Sequence, residues 1–213
     1  MSIGKSKGIT KENIVNVTLD LIKDRDNIRS VNLREIARVL GCAHTNIYNY
    51  FRDMDEIFWA SLDEVLEKSI IFINNKLDGK DCPDKKLQNF YNGFIEFYIE
   101  NRGWFILFWM EKLHGATPER SLNKTTNTVS QYNSILNNIF TKLYQVQLNE
   151  QQVMNIFHTV HCYLHGEISI FLCGRGLITE ETAFKERTLN ECIRLNTLLI
   201  QNIKAGGETH QLL

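Results

Sequence analysis

Along the chain, apolar residues recur mainly at helical spacing, and no stretch alternates in the way a half-buried strand would. The first helix is expected to start near Thr10, a suitable N-cap, with Ile14, Val17, Leu21 and Ile22 on its buried face. A second carries Leu33, Ile36, Ala37 and Leu40 at i, i+3, i+4, i+7, and Gly41 supplies the positive-φ residue that ends it. A third follows directly, with Ile47 and Tyr50 turned inward. Asp53 is placed to cap a long fourth helix whose apolar positions include Ile57, Leu62, Val65, Leu66, Ile70 and Ile73.

The segment "LDGKDCPDKK" (77–86) has the glycine, proline and charge of a loop. Two aromatic-rich helices follow, broken near Arg102–Gly103 and ending near Gly115. A more polar helix comes next, its buried side marked by Tyr132, Ile135, Leu136, Ile139 and Leu143. Two last helices, roughly 150–174 and 180–204, are separated by "GRGLITEE", where Thr179 or a neighbour can cap and Glu180 and Glu181 suit the positive end of the helix dipole. The tail "AGGETHQLL" reads as frayed. The expectation is an all-α chain of about nine helices.

Each of the last two helices has two apolar stripes. Val153, Phe157, Val160, Leu164 and Phe171 form one, with Met154, His158, His161, Cys162 and His165 beside it. Phe184, Thr188, Cys192, Leu195 and Leu199 form another, with Leu189, Ile193, Ile200 and Ile203 beside it. A second buried face needs a second partner. Either a homodimeric four-helix bundle or a central place in a monomer core provides one.

The third helical segment has an unusual outer face. His44, Thr45, Asn46, Tyr48 and Asn49 are polar, partly planar and hydrogen-bonding, yet nearly uncharged. Such a face suits base edges and phosphates, which points to a helix-turn-helix that reads DNA. The charge balance is compatible with this but does not demand it. The net charge is −1; residues 1–60 hold nine Lys/Arg against eight Asp/Glu, and the remainder holds fifteen against seventeen. Lys5, Lys7 and Lys11 form a basic N-terminal arm, and Arg34 and Arg38 lie on the second helix, where they can meet phosphates.

The composition, 43% hydrophobic and 23% charged with two prolines, is that of a helical globular chain. The longest wholly apolar run, Trp104 to Met110, is too short to span a bilayer, and the N-terminus lacks the apolar core of a secretory signal. Five scattered cysteines without a C-x-x-C pair suggest reduced thiols, hence a cytoplasmic setting.

The stretches "IVNVTLDLI", "LREIARVLG", "NIYNYF" and "DEIF" together resemble the tetracycline-repressor (TetR) family of one-component bacterial regulators. The matching features are the Ile36–Ala37 pair, the Gly41 turn, the Ile47–Tyr48–Asn49–Tyr50–Phe51 ending and the cap at Asp53. Further on, "YLHGEISIFLCGRG" looks like a His-Gly segment of one group of TetR-like C-terminal domains. Two positions depart from the pattern. Ala43 stands where the family usually caps its recognition helix with Ser or Thr, although His44 or Thr45 can compensate; Met54 stands where it usually has a Lys near phosphate, a contact Arg52 can replace.

The resemblance implies a DNA-binding domain over 1–53 and a helical effector-binding and dimerisation domain over 54–213. It implies a dimer reading a near-palindromic double-stranded operator, with half-sites about one helical turn (~34 Å) apart. By position Tyr48 and Tyr50 would meet phosphates, Arg34 and Arg52 would support them, and His44, Thr45, Asn46 and Asn49 would reach bases. A small, largely apolar effector would enter the C-terminal helices and release the DNA, with Trp109, Tyr132, His161 and His165 as lining candidates. A metal- or redox-responsive regulator using His158, His161, Cys162 and His165 is an alternative, as is a helical adaptor that binds no DNA. One straight helix cannot wrap four ligands around a metal, so neither metal nor cofactor is expected. No catalytic constellation accompanies the histidines and cysteines, so an enzyme is not expected either.

Overall fold

In a computed structural model that describes residues 9–79 and 82–207, every regular element is helical. Lys5 and Lys7 of the basic arm, and the tail from Glu208, lie outside the described residues. The elements are α1 (Lys11–Ile22), a 3-10 turn (Ile28–Ser30), α2 (Leu33–Leu40), a 3-10 helix (His44–Asn49), α3 (Met54–Leu77), α4 (Pro83–Ile99), α5 (Arg102–Phe105), α6 (Glu119–Tyr144), α7 (Glu150–Leu172) and α8 (Glu181–Lys204). Counting the 3-10 helix 44–49 with the eight α-helices gives the expected nine among the described residues.

Contacts divide these residues into two compact units. The first takes the chain up to Lys68 together with Glu100–Thr126; the second takes Ser69–Ile99 and Asn127 onward.

In the first unit the helix ends follow from local chemistry. Thr10 Oγ1 accepts the Asn13 amide and opens α1. Asn32 Oδ1 accepts the Arg34 and Glu35 amides and opens α2, and Gly41 closes it at φ +69°. Asp53 Oδ1 accepts the Glu56 amide at the start of α3, while the Glu56 carboxylate reaches back to the Arg52 amide.

The buried face of α1 is Ile14, Val15, Thr18, Leu19 and Ile22. This corrects the expected face: Val17 and Leu21 are only half-buried. The buried face is turned towards Val15 and Leu19, and Thr18 is buried with them at little polar cost, its hydroxyl donating to the Ile14 carbonyl at 2.8 Å. The backbone of α5 then approaches the end of α1. Gly103 donates its amide to the Lys23 carbonyl, and a Cβ at Gly103 would fall on the Ile22 carbonyl oxygen. Trp104 Nε1 donates to the Leu19 carbonyl at 2.9 Å.

The helix that begins at Arg102 does not reach Gly115. It widens into a π turn, Ile106–Met110, and stops where the Glu111 amide bonds the Ile106 carbonyl. Beyond it, Glu111 is held by Arg29 at 2.8 Å.

In the second unit α4, α7 and α8 pack against one another around Phe90, Tyr91, Phe94, Phe157, Leu164, Cys192 and Ile200. Asn149 and Gln152 form a reciprocal capping box at α7, and Glu180 rather than Thr179 caps α8. On α6 the buried residues include Tyr132, Leu136, Ile139 and Phe140. The first stripe of α7 is buried at Val153, Phe157, Val160 and Leu164, whereas Met154, Ile170 and Leu198 stay 40–48% exposed.

Candidate functional site

The segment 44–49 is a 3-10 helix rather than an α-helix. Ala43 offers no side-chain cap, and neither His44 nor Thr45 makes up for it. A missing cap costs about 1 kcal/mol, whereas complete burial of Ile47 contributes about 1.5–3 kcal/mol. The segment therefore holds by its single apolar anchor, with the Phe51 amide closing onto the Ile47 carbonyl at 3.0 Å.

That anchor turns His44, Thr45, Asn46, Tyr48 and Asn49 outward, and all five are exposed. Arg34 and Arg38 are exposed on α2, and Arg52 is exposed just beyond the segment. No acidic residue occurs between Glu35 and Asp53. The face is thus hydrogen-bonding in its middle and cationic around its edges, the distribution a polyanion with readable edges would meet.

Two of the expected contact residues have other bonds. The Tyr50 hydroxyl donates to the Ile9 carbonyl at 2.8 Å, so that half-buried ring ties the approach to α1 onto the 44–49 segment. A phosphate contact from Tyr50 would have to break this bond. Arg52 pairs with Asp53 at 3.0 Å, but both groups are well exposed, and such a pair is readily exchanged for a phosphate.

In the second unit three of the four expected ligand-lining residues converge. Tyr132 on α6 lies edge-on to Phe94, ring centroids 4.9 Å apart, and its hydroxyl is 2.7 Å from Ser69 Oγ. His161 stacks on Phe157 at 4.8 Å and meets Phe94 at 5.0 Å; His165 follows at 4.0 Å from His161. Burial drives the His161 imidazole well below its usual pKa, with the neighbouring His165 and His158 adding to it. Burial, then His158, brings His165 down to about 4. Both rings are neutral near pH 7, polar groups set among aromatic walls. Trp109 belongs to the first unit instead, 40% exposed and packed against Phe108.

Of the four residues weighed for a metal, Cys162 Sγ and His158 Nε2 are 3.5 Å apart. Among the described residues no group of three or more His, Cys, Asp or Glu side chains is arranged to hold a metal ion. Nor is any described helix long and apolar enough to cross a membrane.

One feature of the first unit had no signal in the sequence. A cleft of about 410 Å³ is bordered by α1, Phe51, α3 and the start of α6, and the nearly buried carboxylate of Asp63 lines it. Its walls come from positions 11 to 121, and no local motif links them.

An all-helical chain that places a capped α2, a glycine turn and an exposed polar segment ahead of a long capped helix has the TetR-like fold. Similar solved structures cover nearly the whole chain. A protein of unknown function from Rhodococcus sp. RHA1 matches with a TM-score of 0.71 at 11% identity, over 91% of this chain and 98% of that one. The TetR-family transcriptional regulator PfmR from Thermus thermophilus matches with a TM-score of 0.60 at 16% identity, over 88% and 95%. The regulator FadR from Bacillus subtilis, solved in complex with stearoyl-CoA, matches with a TM-score of 0.61 at 15% identity, over 85% and 96%. No family model matches the sequence.

Proposed function

We propose that the protein is a DNA-binding transcription regulator, a repressor that occupies a near-palindromic operator as a homodimer and leaves it when a small effector binds. The observation that carries this reading is the exposed face His44, Thr45, Asn46, Tyr48 and Asn49, anchored by buried Ile47 in a TetR-like fold. Asn46 and Asn49 have the amide geometry to read adenine, and His44 and Thr45 flank them at the entrance to the groove. Tyr48, 54% exposed, contacts phosphate, and the exposed Arg34 and Arg52 support that contact.

Dimerisation is assigned to α7 and α8, where the half-exposed apolar residues Met154, Ile170 and Leu198 are left over after the second unit has packed. The effector role is assigned to 54–213, and the DNA-reading role to 1–53. Tyr132, His161 and His165 supply the few polar groups that an otherwise apolar site needs to orient a ligand. PfmR and FadR, regulators of the same fold, support the assignment.

Selection of bound duplexes from a randomised pool tests it. The reading expects an enriched inverted repeat and an affinity that falls steeply with salt. A pool that stays random after repeated rounds at low salt contradicts it and leaves the adaptor reading.

A further inference from the structure

The cleft in the first unit has a chemistry unlike that of the aromatic cluster. Four carboxylates line it, those of Glu12, Glu56, Asp63 and Glu64, against two cationic side chains, Lys11 and Arg120. Phe51 and Trp59 supply aromatic wall. The Lys11 ammonium already sits 5.3 Å from the Phe51 ring centroid, so one face of that ring is in use by a cation.

Asp63 is the unusual member. Its side chain is only 6% exposed, and its Oδ1 finds no hydrogen-bond donor among the described residues. A buried carboxylate normally collects donors on both oxygens. The other oxygen has a single counter-ion, Arg120, at 3.3 Å, and that side chain is 81% exposed. A loosely held, solvated guanidinium is a poor complement to a buried charge and is easily displaced. Glu64 and Glu56 are otherwise engaged, with Lys68 at 3.0 Å and with the Arg52 amide at 2.6 Å, so Asp63 is where a new donor gains most.

We infer that this cleft binds a small organic cation, an alkyl- or arylammonium, whose N–H donors take over the Asp63 carboxylate from Arg120 while its apolar body lies against Trp59 and Phe51. The volume falls within the range of small-molecule sites. The inference does not rest on DNA binding; the cleft keeps its chemistry whether or not residues 44–49 read bases.

The test is calorimetric titration of the full-length chain with phenethylammonium chloride and, separately, with 2-phenylethanol, its neutral counterpart of similar size. The cation is expected to bind at least about tenfold more tightly than the alcohol, as a charge-assisted hydrogen bond allows. Asp63→Asn should remove most of that advantage. Arg120→Gln should tighten cation binding, because the competing guanidinium is gone. No cation binding, equal binding of cation and alcohol, or an Asp63→Asn protein that keeps its full preference overturns the inference. Where circular dichroism shows Asp63→Asn to be unfolded, Arg120→Gln decides: unchanged or weaker binding in that variant overturns it equally.

Discussion

Arg29 lies 2.9 Å from Asp55, and through this contact the turn between α1 and α2 is fastened to the first turn of α3. The same guanidinium holds Glu111 at 2.8 Å and the Lys112 carbonyl at 3.0 Å, and it lies over the Phe58 ring. Asp55 in turn accepts the His114 amide at 3.2 Å. Three stretches that are distant in sequence thus meet at one planar cation, a role that suits Arg and not Lys. Arg29→Lys and Arg29→Ala should both lower the melting temperature, with alanine costing about 2–4 kcal/mol because two partly buried carboxylates lose their cationic partner. A melt unchanged by Arg29→Ala would show that the clamp contributes nothing.

The same contact sets an acid limit. Burial raises the Asp55 pKa, but the Arg29 hydrogen bond, the His114 amide and the Arg29 charge together outweigh it and leave the carboxyl below its ordinary 3.8. A depressed carboxyl stabilises the fold fully above 3.8, and that contribution is lost as pH falls through the lower folded value. Asp55→Asn should therefore be destabilising at pH 7 and much less so near pH 3, as read by urea midpoints at the two pH values.

His161 and His165 act over a different window. Both are depressed chiefly by burial, His165 to about 4, so between 6.5 and 4 the unfolded chain binds protons that the folded chain refuses. Stability should be complete above pH 6.5 and decline towards pH 4, at up to about 1.4 kcal/mol per pH unit for each histidine. Replacing His165 by Gln should flatten part of that slope in urea titrations. A wild-type midpoint that stays level from pH 7 to pH 4.5 would contradict the buried, neutral assignment.

Gly103 is a packing requirement of α5 against α1. Its φ is not the reason; the Ile22 carbonyl occupies the place of a side chain. Gly103→Ala should cost several kcal/mol, more than the gain of about 1 kcal/mol that alanine brings to an ordinary helical position. A thermal melt at or above that of the parent would refute this close approach.

How far the sequence carries depends on whether a feature is local. The caps at Thr10 and Asp53 and the turn at Gly41 act within three or four residues, and all are legible. The outward face of 44–49 is legible for the same reason. The α1 face is not, because "NIVNVTLDLI" supplies apolar residues for two overlapping stripes, and the pattern alone does not choose between them. The π turn at Ile106–Met110 leaves no mark in an unbroken apolar run. Asp63 is equally silent: it stands in the middle of α3 as an ordinary acidic residue until the start of α6 brings Arg120 to it.

The leftover apolar surface of α7 and α8 predicts a dimer. Light scattering at micromolar concentration should give twice the 24.8 kDa chain mass, and Leu198→Glu combined with Ile170→Glu should give the single mass without loss of helicity. A parent protein that is monomeric at that concentration would return both helices to a single-chain core.

The most direct test of DNA reading by residues 44–49 is fluorescence anisotropy on the selected operator and on single-base-pair variants of it. Parent protein, Asn46→Ala and Tyr48→Ala would be compared at one salt concentration. Asn46→Ala should lose discrimination at one or two base pairs, worth ~1–3 kcal/mol there, and leave the others ranked as before. Tyr48→Ala should weaken every duplex by a similar factor. If the Asn46→Ala, Tyr48→Ala double variant binds the operator and ranks its variants as the parent does, this segment does not read DNA.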